Sequence, residues 1–316
     1  MSFSLKVKNE VCRYSDIDEE EAIAELSAIM KVSGTLMLGG NRQFSFKIIT
    51  ENAAIARFIF KILKDIFHIH TRILVKRSNS LKKNNVYVIM ITKDADVRFI
   101  LKKVGLLKEE EDVFSLDYSI SKSISENEKL KKAYIRGAFL GGGSISNPEK
   151  TYHLEFVTHD NDYALDLSKL INGYGLSSKV IQRKSSFIVY IKEGEQIVDL
   201  LNIIGAHSSL LELENIRIMK EMRNNVNRLV NCETANLSKT VNAAVRQMES
   251  IKLIQKEIGL SRLPENLRDI AELRLNYPDE SLKELGEMLN PKVGKSGVNH
   301  RLRRIEKIAD ELRKER

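Results

Sequence analysis

The sequence predicts an α+β protein in which an αββαββα unit occurs twice and an all-helical region follows. The apolar periods change between helix and hairpin in the same order over residues 18–106 and 126–206. After residue 206 the helical period continues to the end of the chain. With 316 residues, 42% of them hydrophobic, the chain is long enough for two or three domains.

Each copy of the repeat is assigned from its apolar periods. The first copy has helices at 18–34, 51–67 and 94–106, and strands at 35–38, 43–50, 71–77 and 86–92. The second has helices at 126–142, 161–175 and 195–206, and strands around 144–146, 152–158, 178–184 and 187–193. Gly34-Thr35-Leu36 matches Gly143-Ser144-Ile145, and Glu51-Asn52 matches Asp160-Asn161 at the same offset. Copies of this size are duplicated domains rather than units of a solenoid.

The first helix of each copy carries a face of small residues. Ser125 and Glu128 match a capping box, which predicts that the helix of the second copy begins near Glu126. The small residues recur every four positions, at Ala133, Gly137 and Gly141 and at Ala24, Ala28 and Val32. Such faces let two helices pack with their backbones close, so we expect the pair to lie on a pseudo-two-fold axis between the two sheets.

The stretch IRGAFLGGGSI, and more weakly LSAIMKVSGTL, resembles the motif of LAGLIDADG homing endonucleases over about residues 18–206. That resemblance implies a saddle of two sheets, in which the last acid of each motif holds a divalent metal over DNA. Those acids are replaced here by Ser33 and Gly142, and the earlier acids by Lys31 and Leu140. The resemblance therefore implies a scaffold without nuclease chemistry, without a catalytic or metal site and without a cofactor.

In active relatives the saddle lies over DNA, and basic residues are the candidates for such contacts here. Strand alternation places some of them on a solvent face, where basic residues also serve solubility or edge protection. A role for this domain in binding a protein partner is equally open. The candidates are Arg42, Lys47, Arg72, Lys76, Arg77, Lys82, Lys83, Lys150, Lys179, Arg183 and Lys184, of which Arg72, Lys76, Lys179 and Arg183 are preferred.

The helical region begins with a connecting helix over residues 208–230 and a second helix that ends at Gly259. A third helix has Pro264 near its first turn and Pro278 after its end. We expect four segments: repeats at 1–108 and 109–207, a helical linker at 208–226 and a C-terminal domain at 227–316.

The last two helices have the pattern of a helix-turn-helix motif. Ser281 and Glu284 form a capping box, Pro291 and Gly294 break the chain, and Ser296 can cap the final helix. The connection is longer than the usual three to four residues. On the final helix one apolar stripe recurs at helical spacing, formed by Val298, Leu302, Ile305, Ala309 and Leu312.

The face opposite that stripe is basic and carries an amide. In a helix-turn-helix the start of the second helix enters the major groove, where Asn and Arg contact base edges and Lys pairs with phosphates. The alternative is a charged helix that faces only solvent. The candidate DNA contacts are Lys292, Lys295, Ser296, Asn299, His300, Arg303, Arg304 and Lys307.

Two further stretches, NRLVNCETANLSKT and SLKELGEMLNPKVGKSGVNHRLRRI, resemble the WhiA family of bacterial regulators over essentially the whole chain. The resemblance implies a DNA-binding protein linked to sporulation in some bacteria, and to cell division and chromosome segregation in others. Asn231, Asn236 and Lys239 match polar positions of the family. They either orient the helical bundle or touch the DNA backbone.

The formal net charge of +8 favours a polyanionic partner, either nucleic acid or an acidic membrane surface. The two cysteines, the lack of a signal-peptide pattern and the lack of a membrane-span pattern predict a cytoplasmic, nucleoid-associated protein. The spacing of the histidines predicts no ligand set or catalytic arrangement. The sequence also has no glycine-rich loop with the lysine that a phosphate-binding loop needs, so neither feature indicates an enzyme. We expect a transcriptional regulator that binds double-stranded DNA, with a monomer favoured and a cell-division protein as a possible partner. The rivals are a cell-division adaptor and a metal-dependent endonuclease.

Overall fold

The structure, a computed structural model, describes residues 1–13, 17–39, 43–77, 85–110 and 113–314. Of the predicted saddle residues, Arg42, Lys82 and Lys83 lie outside these ranges. The chain forms two compact units, Met1–Glu221 and Met222–Arg316, each with its own hydrophobic core. Among the described residues, no helix is long and apolar enough to cross a membrane.

The first unit contains both copies of the repeat, as predicted, and each copy forms a four-stranded antiparallel sheet. The strand orders, β1-β2-β4-β3 and β7-β8-β10-β9, are the same in the two copies. The helices are α1 (Phe3–Val11), α2 (Glu19–Ser33), α3 (Ala53–Lys61), which continues as a π-helical turn (Ile62–Ile66), α4 (Asp94–Lys103), α5 (Lys122–Glu126), α6 (Glu128–Gly142), α7 (Asn161–Asn172) and α8 (Gly194–Ile203). The strands are β1 (Gly34–Leu38), β2 (Phe44–Thr50), β3 (Arg72–Arg77), β4 (Asn85–Ile91), β5 (Leu107–Glu110), β6 (Val113–Leu116), β7 (Gly143–Ile145), β8 (Leu154–Thr158), β9 (Lys179–Arg183) and β10 (Ser186–Ile191).

Helices α2 and α6 pack against each other between the two sheets, which confirms the predicted pairing of the small faces. A Cβ atom at Gly137 would lie 2.3 Å from the carbonyl oxygen of Glu25, and one at Gly141 would lie 3.2 Å from Cβ of Val32. Only glycine allows the backbones to approach this closely at Gly137. The small face is therefore a packing requirement of the helix pair.

A buried ion pair lies in the same interface. The Arg136 guanidinium donates a hydrogen bond to the Glu25 carboxylate and lies 3.7 Å from the Glu21 carboxylate. Glu25 is fully buried, and burial raises the pKa of its carboxyl to about 7 despite the opposing effect of Arg136. The interface between α2 and α6 thus contains charged groups that are removed from water.

The segment that precedes α2 and the segment that precedes α6 each form a hydrogen bond with the other copy of the repeat. On α1, which the sequence analysis missed, the Lys8 amine donates to the Leu140 carbonyl of α6 at 3.4 Å. In return, the Lys31 amine of α2 donates to the Ser119 carbonyl, which precedes α6, at 2.6 Å. Burial lowers the pKa of each of these two lysines to about 8. These reciprocal bonds join the two copies into one unit.

Helix α1 also holds the start of helix α9 (His207–Glu257), whose first residues belong to the first unit. The backbone N–H groups of Ser208 and Ser209 donate to the Glu10 carboxylate at 2.6 and 2.9 Å. The Ser209 hydroxyl donates to the same carboxylate at 2.6 Å. A carboxylate at a helix N-terminus satisfies free N–H groups and the helix dipole together.

The second unit contains the rest of α9 and a small helical bundle. Two helices are predicted over residues 208–259, whereas α9 is continuous, because neither glycine nor proline occurs between residues 207 and 257. Its end is predicted well, since Gly259 follows with a φ of 78°. The remaining helices are α10 (Glu265–Asn276), α11 (Leu282–Met288) and α12 (Lys295–Lys314).

Two predicted helix caps are wrong. Ser125 lies inside α5 and donates its hydroxyl hydrogen bond to the Lys122 carbonyl, whereas Asn127 caps α6 by accepting from the Lys129 and Leu130 N–H groups. Ser296 is already the second residue of α12, so it does not cap that helix. The capping box of Ser281 and Glu284 at the start of α11 is confirmed.

Candidate nucleic-acid interface

The helix-turn-helix region is a compact three-helix arrangement of α10, α11 and α12. Val298, Leu302, Ile305 and Ala309 of the predicted stripe are buried in the core of the second unit, and Leu312 packs at its edge. The Arg274 side chain is 3% exposed and donates to the carbonyls of Pro278 and Glu280, so that it fixes the loop before α11. The stripe thus orients the opposite face of α12 away from the core.

The connection between α11 and α12 covers residues 289–294, longer than the simplest turn, and it folds back onto α11. The Val293 N–H donates to the Gly286 carbonyl at 2.9 Å. A Cβ atom at Gly286 would lie 2.0 Å from the Val293 carbonyl oxygen, so only glycine fits there. This contact holds the end of the connection against α11, next to the start of α12. It does so although the connection is longer than the usual turn of three to four residues.

Of the predicted DNA contacts, Ser296, His300, Arg303 and Lys307 recur at helical spacing on the face of α12 opposite the buried stripe, whereas Lys292 lies in the connection and Lys295 begins the helix. Within the described part of the second unit, none of their cationic side chains has an ion-pair partner. They are therefore available to phosphates and base edges. Lys292, Lys295, Ser296, His300, Arg303, Arg304 and Lys307 are exposed, and Asn299 is half-buried.

The degenerate catalytic positions lie at the ends of the paired helices. The Ser33 hydroxyl donates to the Ile29 carbonyl at 2.8 Å, so it is satisfied within its own helix. A Cβ atom at Gly142 would lie 2.5 Å from Cγ1 of Val32 and 2.6 Å from the Val157 carbonyl oxygen. The space that a metal-binding aspartate would need is filled. Among the described residues, no group of three or more His, Cys, Asp or Glu side chains can hold a metal ion.

The outer faces of the two sheets carry matching rows of side chains. In the first sheet one row runs through Thr35, Lys47, Met90 and Arg72, and the equivalent row in the second runs through Ser144, Glu155, Tyr190 and Lys179. Lys76 and Arg183 extend the edge strands β3 and β9 on the same faces. The four preferred saddle residues thus occupy equivalent places on two edge strands, and all four are exposed.

The other candidate saddle residues are more scattered. Lys47 is half-buried, whereas Arg77, Lys150 and Lys184 are exposed. Arg77 lies on β3, but alternation along the strand places it on the opposite face from Arg72 and Lys76. Lys184 lies in the turn after β9, with a φ of 56°. Lys47 belongs to the row of the first sheet, whereas Arg77, Lys150 and Lys184 lie outside both rows.

An apolar row crosses the centre of each outer face, which the sequence analysis missed. Ile49, Val88 and Leu74 lie side by side in the first sheet, and Val157, Ile188 and Ile181 lie side by side in the second. Ile49, Leu74 and Ile181 are 43%, 44% and 46% exposed. The register of three strands is needed to see these rows, although the alternation within each strand is present in the sequence.

Known proteins are similar to this chain over essentially its whole length. The WhiA N-terminal LAGLIDADG-like domain matches residues 19–107, the WhiA LAGLIDADG-like domain residues 131–223, and the WhiA C-terminal HTH domain residues 226–309. A protein from Clostridium botulinum named probable cell division protein WhiA is 75% identical over 313 residues, which are 99% of each chain. A protein of the same name from Clostridium acetobutylicum is 74% identical over 315 residues, which are 100% of this chain and 99% of that protein.

Solved structures give the same assignment. The crystal structure of full-length WhiA from Thermotoga maritima has a TM-score of 0.60 at 27% identity, covering 98% of this chain and 99% of that one. The crystal structure of the N-terminal LAGLIDADG domain of WhiA has a TM-score of 0.51 at 21% identity, over 65% of this chain and 90% of that one, which shows the fold alone. The resemblance seen in the sequence is confirmed: the chain belongs to the WhiA family, with two LAGLIDADG-like repeats and a C-terminal helix-turn-helix domain.

Proposed function

We propose that this chain is a DNA-binding transcriptional regulator of cell division, chromosome segregation or sporulation, and that α12 is its recognition helix. The observation that carries this proposal is the exposed face of α12, where Asn299, His300 and Arg303 stand on a helix fixed by a buried stripe. Asn and Arg can each make two hydrogen bonds to a base edge. Lys292 and Lys295, just before the exposed face, supply charge for phosphates.

The LAGLIDADG-like unit acts in this proposal as a binding scaffold without nuclease activity. The filled space at Gly142 supports that reading, because no ligand for a metal ion fits there without a change in packing. Regulation without catalysis also needs no cofactor. We place the protein with its DNA, on the nucleoid.

The test is a variant that removes two side chains from the recognition face, Arg303→Ala with His300→Ala. Binding to a duplex selected by the wild-type chain from a random library is expected to weaken at least roughly ten-fold, with relaxed sequence preference, because each lost base contact costs about 1–3 kcal/mol. Arg313→Ala, which changes a charge in the last turn of the same helix, is the matched control. Unchanged affinity and preference in the double variant would refute the assignment of α12.

A second candidate function is favoured by the apolar rows on the sheets. Exposed Ile49, Leu74 and Ile181 are poor partners for phosphates but suit the apolar core of a protein interface. An adaptor that binds a cell-division protein through this face would lose that partner, but not DNA, in a Leu74→Asp, Ile181→Asp variant. Loss of DNA binding instead would assign the face to DNA, together with Arg72, Lys76, Lys179 and Arg183.

A further inference from the structure

The middle of α9 is exposed on all sides, which is unusual for a helix in a folded unit. Every residue from 221 to 242 is exposed. Isolated helical segments are marginally stable in water, and most helical stability comes from packing of one face. A segment of this length that contacts so little of its own chain has surfaces available for something else.

The exposed segment is amphipathic. Apolar side chains recur at spacings of three and four residues on one face, as in a helix that packs against a partner. These side chains are 51–65% exposed, and they belong to Met222, Val226, Leu229, Val230, Leu237 and Val241.

The opposite face has a composition typical of a nucleic-acid contact. It follows the series 224, 228, 231, 235, 239, 242 and 246 in steps of three and four, and it holds only asparagine, arginine, lysine and one alanine. Glu233 is the only carboxylate between residues 222 and 246, and it lies on the apolar side. The residues of this polar face are Asn224, Arg228, Asn231, Ala235, Lys239, Asn242 and Arg246, all of them exposed.

The cations of the polar face have no partner within the protein. In the part of the chain that the structure describes, Arg228, Lys239 and Arg246 form neither an ion pair nor a side-chain hydrogen bond. A face with positive charge and amide donors, and without a carboxylate to oppose it, complements a row of phosphates.

The structure also separates the three family-matching polar positions. Asn231 and Lys239 lie on the polar face, whereas the Asn236 amide lies on the other side of the helix and donates to Sγ of Cys232 at 3.8 Å. Asn231 lies between Arg228 and Ala235 in the series of the polar face. A role in orienting a helical bundle does not fit side chains that are exposed to solvent.

We infer that the polar face of α9 is a second DNA-contacting surface, which holds the phosphate backbone while α12 reads the bases. The inference rests on the proposed function, because it needs a DNA partner. Arg228, Lys239 and Arg246 pair with phosphates, and Asn224, Asn231 and Asn242 donate amide hydrogens to phosphate oxygens. Because these contacts carry no base information, they add affinity and register rather than sequence preference.

The test compares four full-length chains on the duplex selected by the wild-type chain: wild type, Arg228→Ala with Lys239→Ala, Arg223→Ala, and Arg303→Ala. Arg223 is the control, since it is also exposed on the same helix but lies away from the polar face. Affinity is measured over a series of salt concentrations. Helix content by circular dichroism verifies that each variant is folded.

We expect the Arg228, Lys239 double variant to bind roughly ten-fold more weakly, by a similar factor on all sequences, with a salt slope reduced by about 1.8 because two phosphate contacts are lost. Arg303→Ala should instead relax the sequence preference. If the double variant keeps the affinity and salt slope of Arg223→Ala while wild type binds, the polar face has no DNA contact and the inference fails alone. If the wild-type chain selects no duplex, the proposed function fails, and the inference with it.

Discussion

At the scale of single residues, Gly142 is constrained by packing from two sides. Val32 on the partner helix and the Val157 carbonyl of β8 both lie within van der Waals distance of where a Cβ atom would be placed. An aspartate would therefore need more than the right charge, because its side chain would displace one of these groups. Restoring the acid of an active nuclease would distort the helix pair.

We expect Gly142→Asp to lower the free energy of unfolding of the first unit by about 1–3 kcal/mol, the usual cost of adding atoms to a tightly packed site. We also expect no magnesium-dependent cleavage of duplex DNA. Urea unfolding and a cleavage assay measure the two outcomes. Gly39→Ala is the control, since its nearest neighbour would lie at an ordinary 3.5 Å. Cleavage by the variant would contradict the assignment of the unit as a binding scaffold.

Helix caps and motif positions could be predicted from the sequence only where the local pattern of residues allowed a single assignment. Ser281 with Glu284 was identified correctly from the spacing of a capping box. Ser125 was preferred over Asn127, although both residue types cap helices well, and the short helix α5 settles the choice in favour of Asn127. The substitutions at Ser33 and Gly142 were visible from the motif, but the filled space beside Gly142 needs the second copy and the sheet.

At the scale of elements, the α2–α6 pair combines backbone contact with a buried charge. The Glu25 carboxyl is buried in the interface of α2 and α6, where Arg136 favours its ionisation and Glu21 opposes it. The burial of this carboxyl opposes ionisation more strongly than Arg136 favours it. The stability of the helix pair should therefore respond to pH in a direction opposite to that of most paired carboxylates.

The pKa of Glu25 is about 7 in the folded chain, against an ordinary 4.5. A carboxyl with a raised pKa favours folding below its unfolded pKa, and this contribution is lost as the pH rises through the folded value. We expect Glu25→Gln, whose amide does not titrate, to gain stability relative to wild type as the pH rises from 4.5 to 7. Urea unfolding at stepped pH tests this, with exposed Glu128→Gln as control. Parallel curves for Glu25→Gln and wild type would contradict it.

Elements with a strong period were predicted well, and elements fixed by distant contacts were not. Both hairpins of each repeat are predicted by the alternation of apolar and polar residues along their strands. The two copies have the same strand order. Helix α1 was missed although Ser2 caps it and Phe3, Val7 and Val11 recur every four residues on its buried face. Its position depends on contacts with α3 and α6. Helix α9 was divided in two although its sequence contains neither glycine nor proline between residues 207 and 257.

At the scale of the whole molecule, the two hydrophobic cores share no residue. Each unit therefore has its own source of stability, and damage to one core should remain in its unit. Ile59 and Leu302 are fully buried representatives of the first and second cores. Truncation of such a side chain to alanine removes apolar contacts and leaves a cavity.

We expect two unfolding transitions that respond to separate mutations. Leu302→Ala should destabilise only the second unit, and Ile59→Ala only the first, each by about 2–5 kcal/mol. Calorimetry of the full chain, with hydrogen exchange to assign each transition, makes the measurement. A single transition lowered by both variants would show that the units unfold together.

The hydrogen bonds from the start of α9 to Glu10 have a consequence for folding of the chain during its synthesis. The carboxylate leaves the ribosome early, but the Ser209 groups that it binds are made 199 residues later. At about 5–20 residues per second this delay is roughly 10–40 s. The hydrogen bonds that join α1 to the start of α9 therefore form only after both repeats have been translated.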